Sequence, residues 1–182
     1  MATPVADPDD LLRFWFEEHP QDWFAKNPAF DAEIRARFLP VHEAAAAGRL
    51  STWAQAPGRC LALVLALDQF PRNLFRGEAR AFATDPQARD AARTILARGW
   101  DKPMGESQRL FAYLPFEHSE SLSDQDLSCE LMKDFDPKLL DYAERHRAII
   151  RRFGRFPHRN DILGRESTAA EIEFLKLPGS GF

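Results

Sequence analysis

Cysteine is scarce in this chain. Its two thiols, Cys60 and Cys129, lie far apart and no C-x-x-C occurs. That excludes a disulfide framework and a zinc ribbon, and both residues read as small apolar side chains in a reducing compartment. Alternating apolar and polar runs are almost absent, which argues against a β fold. The longest apolar run, Leu61 to Leu67, falls far short of the ~20 residues that cross a bilayer. The N-terminus, Met1 to Asp10, is acidic and proline-bearing and lacks the basic start and apolar run of a signal peptide. Positive charge is not in excess either. A net charge of −4 without a lysine cluster argues against a general nucleic-acid binder. These absences leave a cytoplasmic protein whose partners include neither nucleic acid nor membrane; the pattern carries nothing on oligomeric state.

Helical periodicity fills the chain. With 182 residues, 45% of them hydrophobic, the sequence suits a single all-helical domain over 1–182 with a sizeable core. The expected architecture is all-α, a stack of helix pairs with about seven or eight helices. Leu11, Leu12, Trp15 and Phe16 share one face of a first helix capped by Asp9 or Asp10. Ile34, Phe38 and Val41 line a second that starts at Asp31, with a kink or early end at Pro40. Cys60 to Leu67 is apolar all round, so it predicts a buried central helix that delivers Asp68 and Arg72 to its polar end. Asp136-Pro137 starts a long helix, and Thr168 to Glu171 forms a capping box for a short last one. The aromatics Phe14, Trp15, Phe16, Trp23 and Phe24 read as core, with Trp23-Phe24 a partner surface if exposed.

Two corners stand out. Phe70-Pro71-Arg72-Asn73 with Arg76, and Phe156-Pro157-His158-Arg159-Asn160 with Arg155 and Arg165, each follow a helical pattern with a Phe-Pro step. Proline disfavours the α conformation in the residue before it, so each step predicts a helix end followed by a turn that presents Arg, Asn and His. Guanidinium groups beside helix starts suit carboxylate or phosphate. The bland alternative pairs these arginines with internal acids, namely Asp68, Glu117, Glu120 and Asp161. In Glu117-His118-Ser119-Glu120 a histidine lies between carboxylates, the pattern of general acid–base chemistry or of a helix cap. No H-E-x-x-H or G-x-S-x-G occurs. No metal and no cofactor is expected.

Leu67 to Asn73, Leu114 to Glu120, and Phe153 to Asn160 with Leu163-Gly164-Arg165 together resemble an uncharacterised helical family, domain of unknown function nine-two-four. The resemblance runs over nearly the whole chain, from Phe14-Trp15-Phe16 to Glu171. It implies a tetratricopeptide-like all-α fold and implies no reaction.

Three functions follow as expectations. The first is a binding protein whose pocket or groove takes a small anionic molecule or an acidic peptide segment. Its lining would come from Asp68, Arg72, Asn73, Arg76, Glu117, His118, Glu120, His158, Arg159, Asn160 and Arg165. The second is a hydrolase-like enzyme with Glu117 and His118 as acid and base. The third is a purely structural polar network in a protein-interaction scaffold. Whether the protein is an enzyme stays open at this level.

Overall fold

A computed structural model describes residues 6–181, so the first five residues and Phe182 lie outside it. Half of the N-terminal stretch read against a signal peptide's pattern, Met1 to Asp10, falls there. The fold is all-α, and no strand occurs among the described residues. The α-helices are α1 (Pro8–Arg13), α2 (Pro28–Ala46), α3 (Pro57–Val64), α4 (Phe70–Leu74), α5 (Asp85–Ala97), α6 (Glu106–Glu117), α7 (Leu122–Leu131), α8 (Pro137–Phe153) and α9 (Ala169–Leu175). The chain divides into two compact units. One runs to Arg76 and resumes over Arg80–Pro115; the other joins Gly77–Ala79 to the chain from Phe116 onward.

Helix starts follow local chemistry, with shifts of a few residues from expectation. Asp7 caps α1, ahead of the expected Asp9 or Asp10, because Pro8 can occupy the first turn where no N–H is needed. Asn27 caps α2 by accepting from the N–H groups of Ala29 and Phe30. That helix passes through Pro40 and ends at Ala46. Gly48 then takes a positive φ of 72°, a backbone conformation that costs glycine little. Asp136 caps α8, and Thr168 and Glu171 form the expected reciprocal box at α9.

The first unit is built on aromatic packing. Phe14 stacks on Phe30 at 5.6 Å and meets Phe38 at 4.9 Å, while Trp15 packs against Phe70 and edge-on against Phe111. The apolar run from Cys60 to Leu67 is buried along its whole length, as its lack of a polar face requires. A burial of this kind places each leucine where truncation leaves a cavity.

That run does not end at the Phe-Pro step. α3 passes into a π-helical turn, Leu65–Gln69, and on into α4, so the chain stays helical through Phe70-Pro71 to Leu74. Pro71 lacks an N–H and cannot bond back to the preceding turn. The two carbonyls left over there find side chains instead. Ala66 O lies 2.8 Å from Nδ1 of the buried His42, and Leu67 O accepts from the Thr84 hydroxyl at 2.6 Å. Here the proline is absorbed by a wide turn plus two side-chain donors, and the predicted corner is a continuation.

In the second unit, α8 does end as predicted. Gly154 closes it with φ of 70°, and Phe156 is extended before the short 3-10 turn Pro157–Arg159. Ile149, Ile150 and Phe156 form the core of this region, with Phe153 and Phe174 packed against it. The end of α6 is held by Gln125 on α7, whose amide donates to Glu117 O at 2.6 Å and Ser119 O at 2.7 Å. Those bonds satisfy carbonyls that any helix end leaves unpaired.

Candidate functional site

The residues singled out in the sequence fall into a group in each unit. In the first, Asp68 lies in the π-helical turn and is fully buried. Its Oδ2 accepts from Gln69 at 2.6 Å, and its Oδ1 is 3.3 Å from Arg72 Nη1. Arg72 also grips Asp85 with both arms, at 2.9 and 3.0 Å, and donates to Asp68 O at 2.6 Å. Burial works against the Arg72 charge, yet the carboxylates of Asp68 and Asp85 outweigh it and hold its pKa above the ordinary value. A second acid serves the rest of the motif. Asp31, in the first turn of α2, accepts from Asn73 Nδ2 at 2.7 Å and from Arg76 Nε at 2.5 Å and Nη2 at 2.9 Å.

Neither Asp31 nor Asp85 stood out in the sequence as a partner. Each lies in the first turn of a helix, where an acid is expected for capping and dipole reasons alone. The pairs join residues 45 positions apart for Arg76 and Asp31 and 13 apart for Arg72 and Asp85, a span no local pattern reports.

In the second unit Arg165 meets Glu120 with two nitrogens, at 2.7 and 2.9 Å, and donates through Nε to Asn160 Oδ1 at 3.0 Å. Glu120 also accepts from the Phe156 N–H at 2.8 Å. Burial opposes ionisation of this carboxyl, but the bonds from Arg165 and Phe156 prevail and its pKa falls below the usual carboxylate value. Asn160, fully buried, donates to Ser167. Arg155 pairs with Glu171 at 2.7 and 2.8 Å. That hydrogen bond, opposed by burial and helped by the Thr168 N–H, draws the Glu171 carboxyl down to about 2. Asp161, expected as an internal partner, is exposed.

The histidines are the other part of this unit. Glu117 and His146 are both buried, with Glu117 Oε1 3.5 Å from His146 Nδ1. His146 Nδ1 also lies 2.8 Å from the Tyr142 carbonyl, one helical turn back. Burial drives the His146 pKa down to about 3, and the nearness of His118, Arg159 and His158 pushes the same way. His158 is lowered to about 4, first by burial and then by the Arg159 charge. Arg159 is buried, lies over the Phe156 ring at 4.5 Å and donates to the His118 carbonyl at 3.1 Å. His118 and His158 are half-buried. His146 thus touches Glu117 directly, and the Arg159 guanidinium acts on both His146 and His158. The i+4 bond of His146 to Tyr142 O and its contact with Glu117 have no local sequence signal, because the fold brings them about.

The partner surface expected of Trp23 and Phe24 divides. Trp23 donates to Trp15 O at 2.7 Å and packs edge-on against Phe111, whereas Phe24 is 71% exposed and stacks on the same Phe111 ring at 6.0 Å.

With nine α-helices among the described residues and two polar clusters in place, the class of protein is an all-helical one whose conspicuous motifs are buried or half-buried charge networks. The chain belongs to the family of bacterial proteins of unknown function DUF924, whose model matches residues 11–179 and so spans both units. It is similar to the solved structure of a protein of unknown function from Agrobacterium tumefaciens. The two share 46% identity over 93% of this chain and 96% of that one, with a TM-score of 0.89. No curated protein matches significantly. No helix among the described residues is long and apolar enough to cross a membrane.

Proposed function

We propose that the second unit binds a small anionic group, a carboxylate or a phosphate, through His118, His158 and Arg159. The observation that supports this is the buried contact of His146 with Glu117, an imidazole on which His118, His158 and Arg159 also act, with Glu120 acting on His158 and Arg159. A buried guanidinium is costly unless negative charge compensates it, and imidazoles held neutral can still donate N–H bonds. Glu117 and Glu120 offer charge from the chain itself. An incoming anion would supply more, with the half-buried His118 and His158 as its donors and Arg159 as the fixed charge. Arg72, Arg76, Arg155 and Arg165 contribute less to this reading, because acids of their own units already grip them.

The tetratricopeptide-like arrangement implied by the family would suit an acidic peptide segment as the bearer of that anion. A second reading, acid–base chemistry with Glu117 and His118, draws on the Glu117–His146 contact, in which an imidazole is positioned to steady a carboxylate between protonation states.

Titration with inorganic phosphate, with citrate and with an acidic peptide, followed through the histidine ring signals by NMR, tests the proposal. Binding should raise the pKa of His158 from its low value, since a bound anion favours the charged ring, and Arg159→Gln should weaken binding about tenfold or more. Ring signals that do not move with any of the three probes would sink it. A response to the peptide alone would identify the protein as an interaction module.

A further inference from the structure

A separate cluster in the first unit has the chemistry of a metal site. His19 follows the π-helical turn Phe14–Glu18 and its ring lies between Phe14 at 4.6 Å and Phe30 at 5.1 Å. Its Nδ1 is 3.1 Å from Asp22 Oδ2. Asp22 is itself fixed, because Asn27 donates to its other oxygen at 2.8 Å and Gln21 donates at 3.0 Å. A carboxylate oxygen against Nδ1 accepts a hydrogen bond from the proton there, which leaves the Nε2 lone pair directed away. Carboxylate–histidine–metal sites use this arrangement to orient and strengthen a ligand.

Nε2 faces acids. Glu33 Oε2 is 3.4 Å away, and one ligand atom from each of Glu18, His19 and Glu33 falls within 4.8 Å of the others. Two ligand atoms bonded to one tetrahedral zinc stand about 3.4 Å apart, given bonds of about 2.0–2.1 Å. The His19–Glu33 pair thus already has the separation a shared metal imposes, one too long for a hydrogen bond. Glu18 is the exposed member of the set. Arg37 Nη1 currently bridges Glu18 Oε2 and Glu33 Oε1 at 3.0 Å each, so the two carboxylates already share one cation.

We propose that His19, Glu18 and Glu33 form a binding site for a borderline divalent cation, zinc above all, with Asp22 as the residue that orients His19 and Arg37 as the group the ion displaces. One imidazole favours zinc over magnesium or calcium, whose sites are built from oxygen. Three protein ligands leave at least one position for water.

The test is calorimetric titration of the chelator-treated protein with zinc chloride, alongside thermal unfolding with and without the ion. The expected result is a single site whose occupancy raises the unfolding temperature, since it ties the turn after α1 to α2. His19→Gln and Glu33→Gln should each weaken binding at least about tenfold, and Asp22→Asn by about tenfold through the tautomer it no longer fixes. Arg37→Gln should strengthen binding, an effect no merely structural role of the cluster predicts. Zinc bound with equal affinity by the wild type and by both His19→Gln and Glu33→Gln, or not bound at all, would overturn the proposal. Magnesium binding as strongly as zinc would overturn the assignment of His19 as a ligand.

Discussion

Arg72 and Asp85 meet through two parallel hydrogen bonds, and the same guanidinium reaches the backbone and carboxylate of Asp68 one turn away. One cation therefore serves two buried acids. Removing it by Arg72→Ala would leave both carboxylates without it, at a cost of about 3–5 kcal/mol. Urea unfolding checks this, and a loss under about 1 kcal/mol would mean the acids are satisfied without Arg72. Arg72→Lys should recover only part of the loss, because an ammonium cannot make the paired contact.

Leu65→Ala tests the central helix. Leu65 is fully buried within the π-helical turn, and the truncation should destabilise the protein by about 2–5 kcal/mol. An unfolding midpoint that barely moves would show that the surrounding side chains collapse into the space.

Acid should weaken the second unit before its carboxylates titrate. His146 is pushed down to about 3 in the folded chain and returns to about 6.5 when unfolded. The unfolded state therefore binds more protons between those values, so stability is complete above about pH 6.5 and declines as pH falls toward 3. His158, lowered to about 4, acts in the same direction. Glu120 and Glu171, whose pKa values are depressed, add their loss only below about pH 4.5. A series of unfolding curves from pH 7 to pH 5 should thus show a decline that His146→Gln flattens. An unchanged slope in that variant would show that His146 is not the group responsible.

Cys60 should be chemically silent. It is fully buried and its thiol is pushed up to about 11 by burial, so the reactive thiolate is scarce at neutral pH. A thiol reagent should label it only after denaturant is added, and rapid labelling of the native protein would place it in an opening segment.

Features settled within a short local stretch were legible in the sequence. The capping box at Thr168 and Glu171 needs only four residues, and the burial of Cys60 to Leu67 follows from its lack of a polar face. Phe70-Pro71 and Phe156-Pro157 read alike, yet one continues a helix and the other follows the end of one. What separates them lies elsewhere in the chain: His42 and Thr84 supply donors to the carbonyls around the first proline, and Gly154 has already closed α8 before the second. The ion pairs were the least legible part. Asp68 and Glu120, both expected as partners, do meet Arg72 and Arg165, but Asp31, Asp85 and Glu171 also take Arg76, Arg72 and Arg155, and no local pattern marks those three as ion-pair partners.

The π-helical turn before Pro71 fixes the length of the chain there as firmly as its composition. It accommodates one residue more than an α-turn, so everything after it is rotated relative to an uninterrupted helix by about 100°. Deleting a single residue between 65 and 69 would remove the extra residue while Pro71 still lacked an N–H to bond back. It would also swing Arg72 off Asp85 and Asn73 off Asp31. Positions in this segment that accept another helix former by substitution should still refuse a deletion, a constraint on spacing that no scan of point variants would detect.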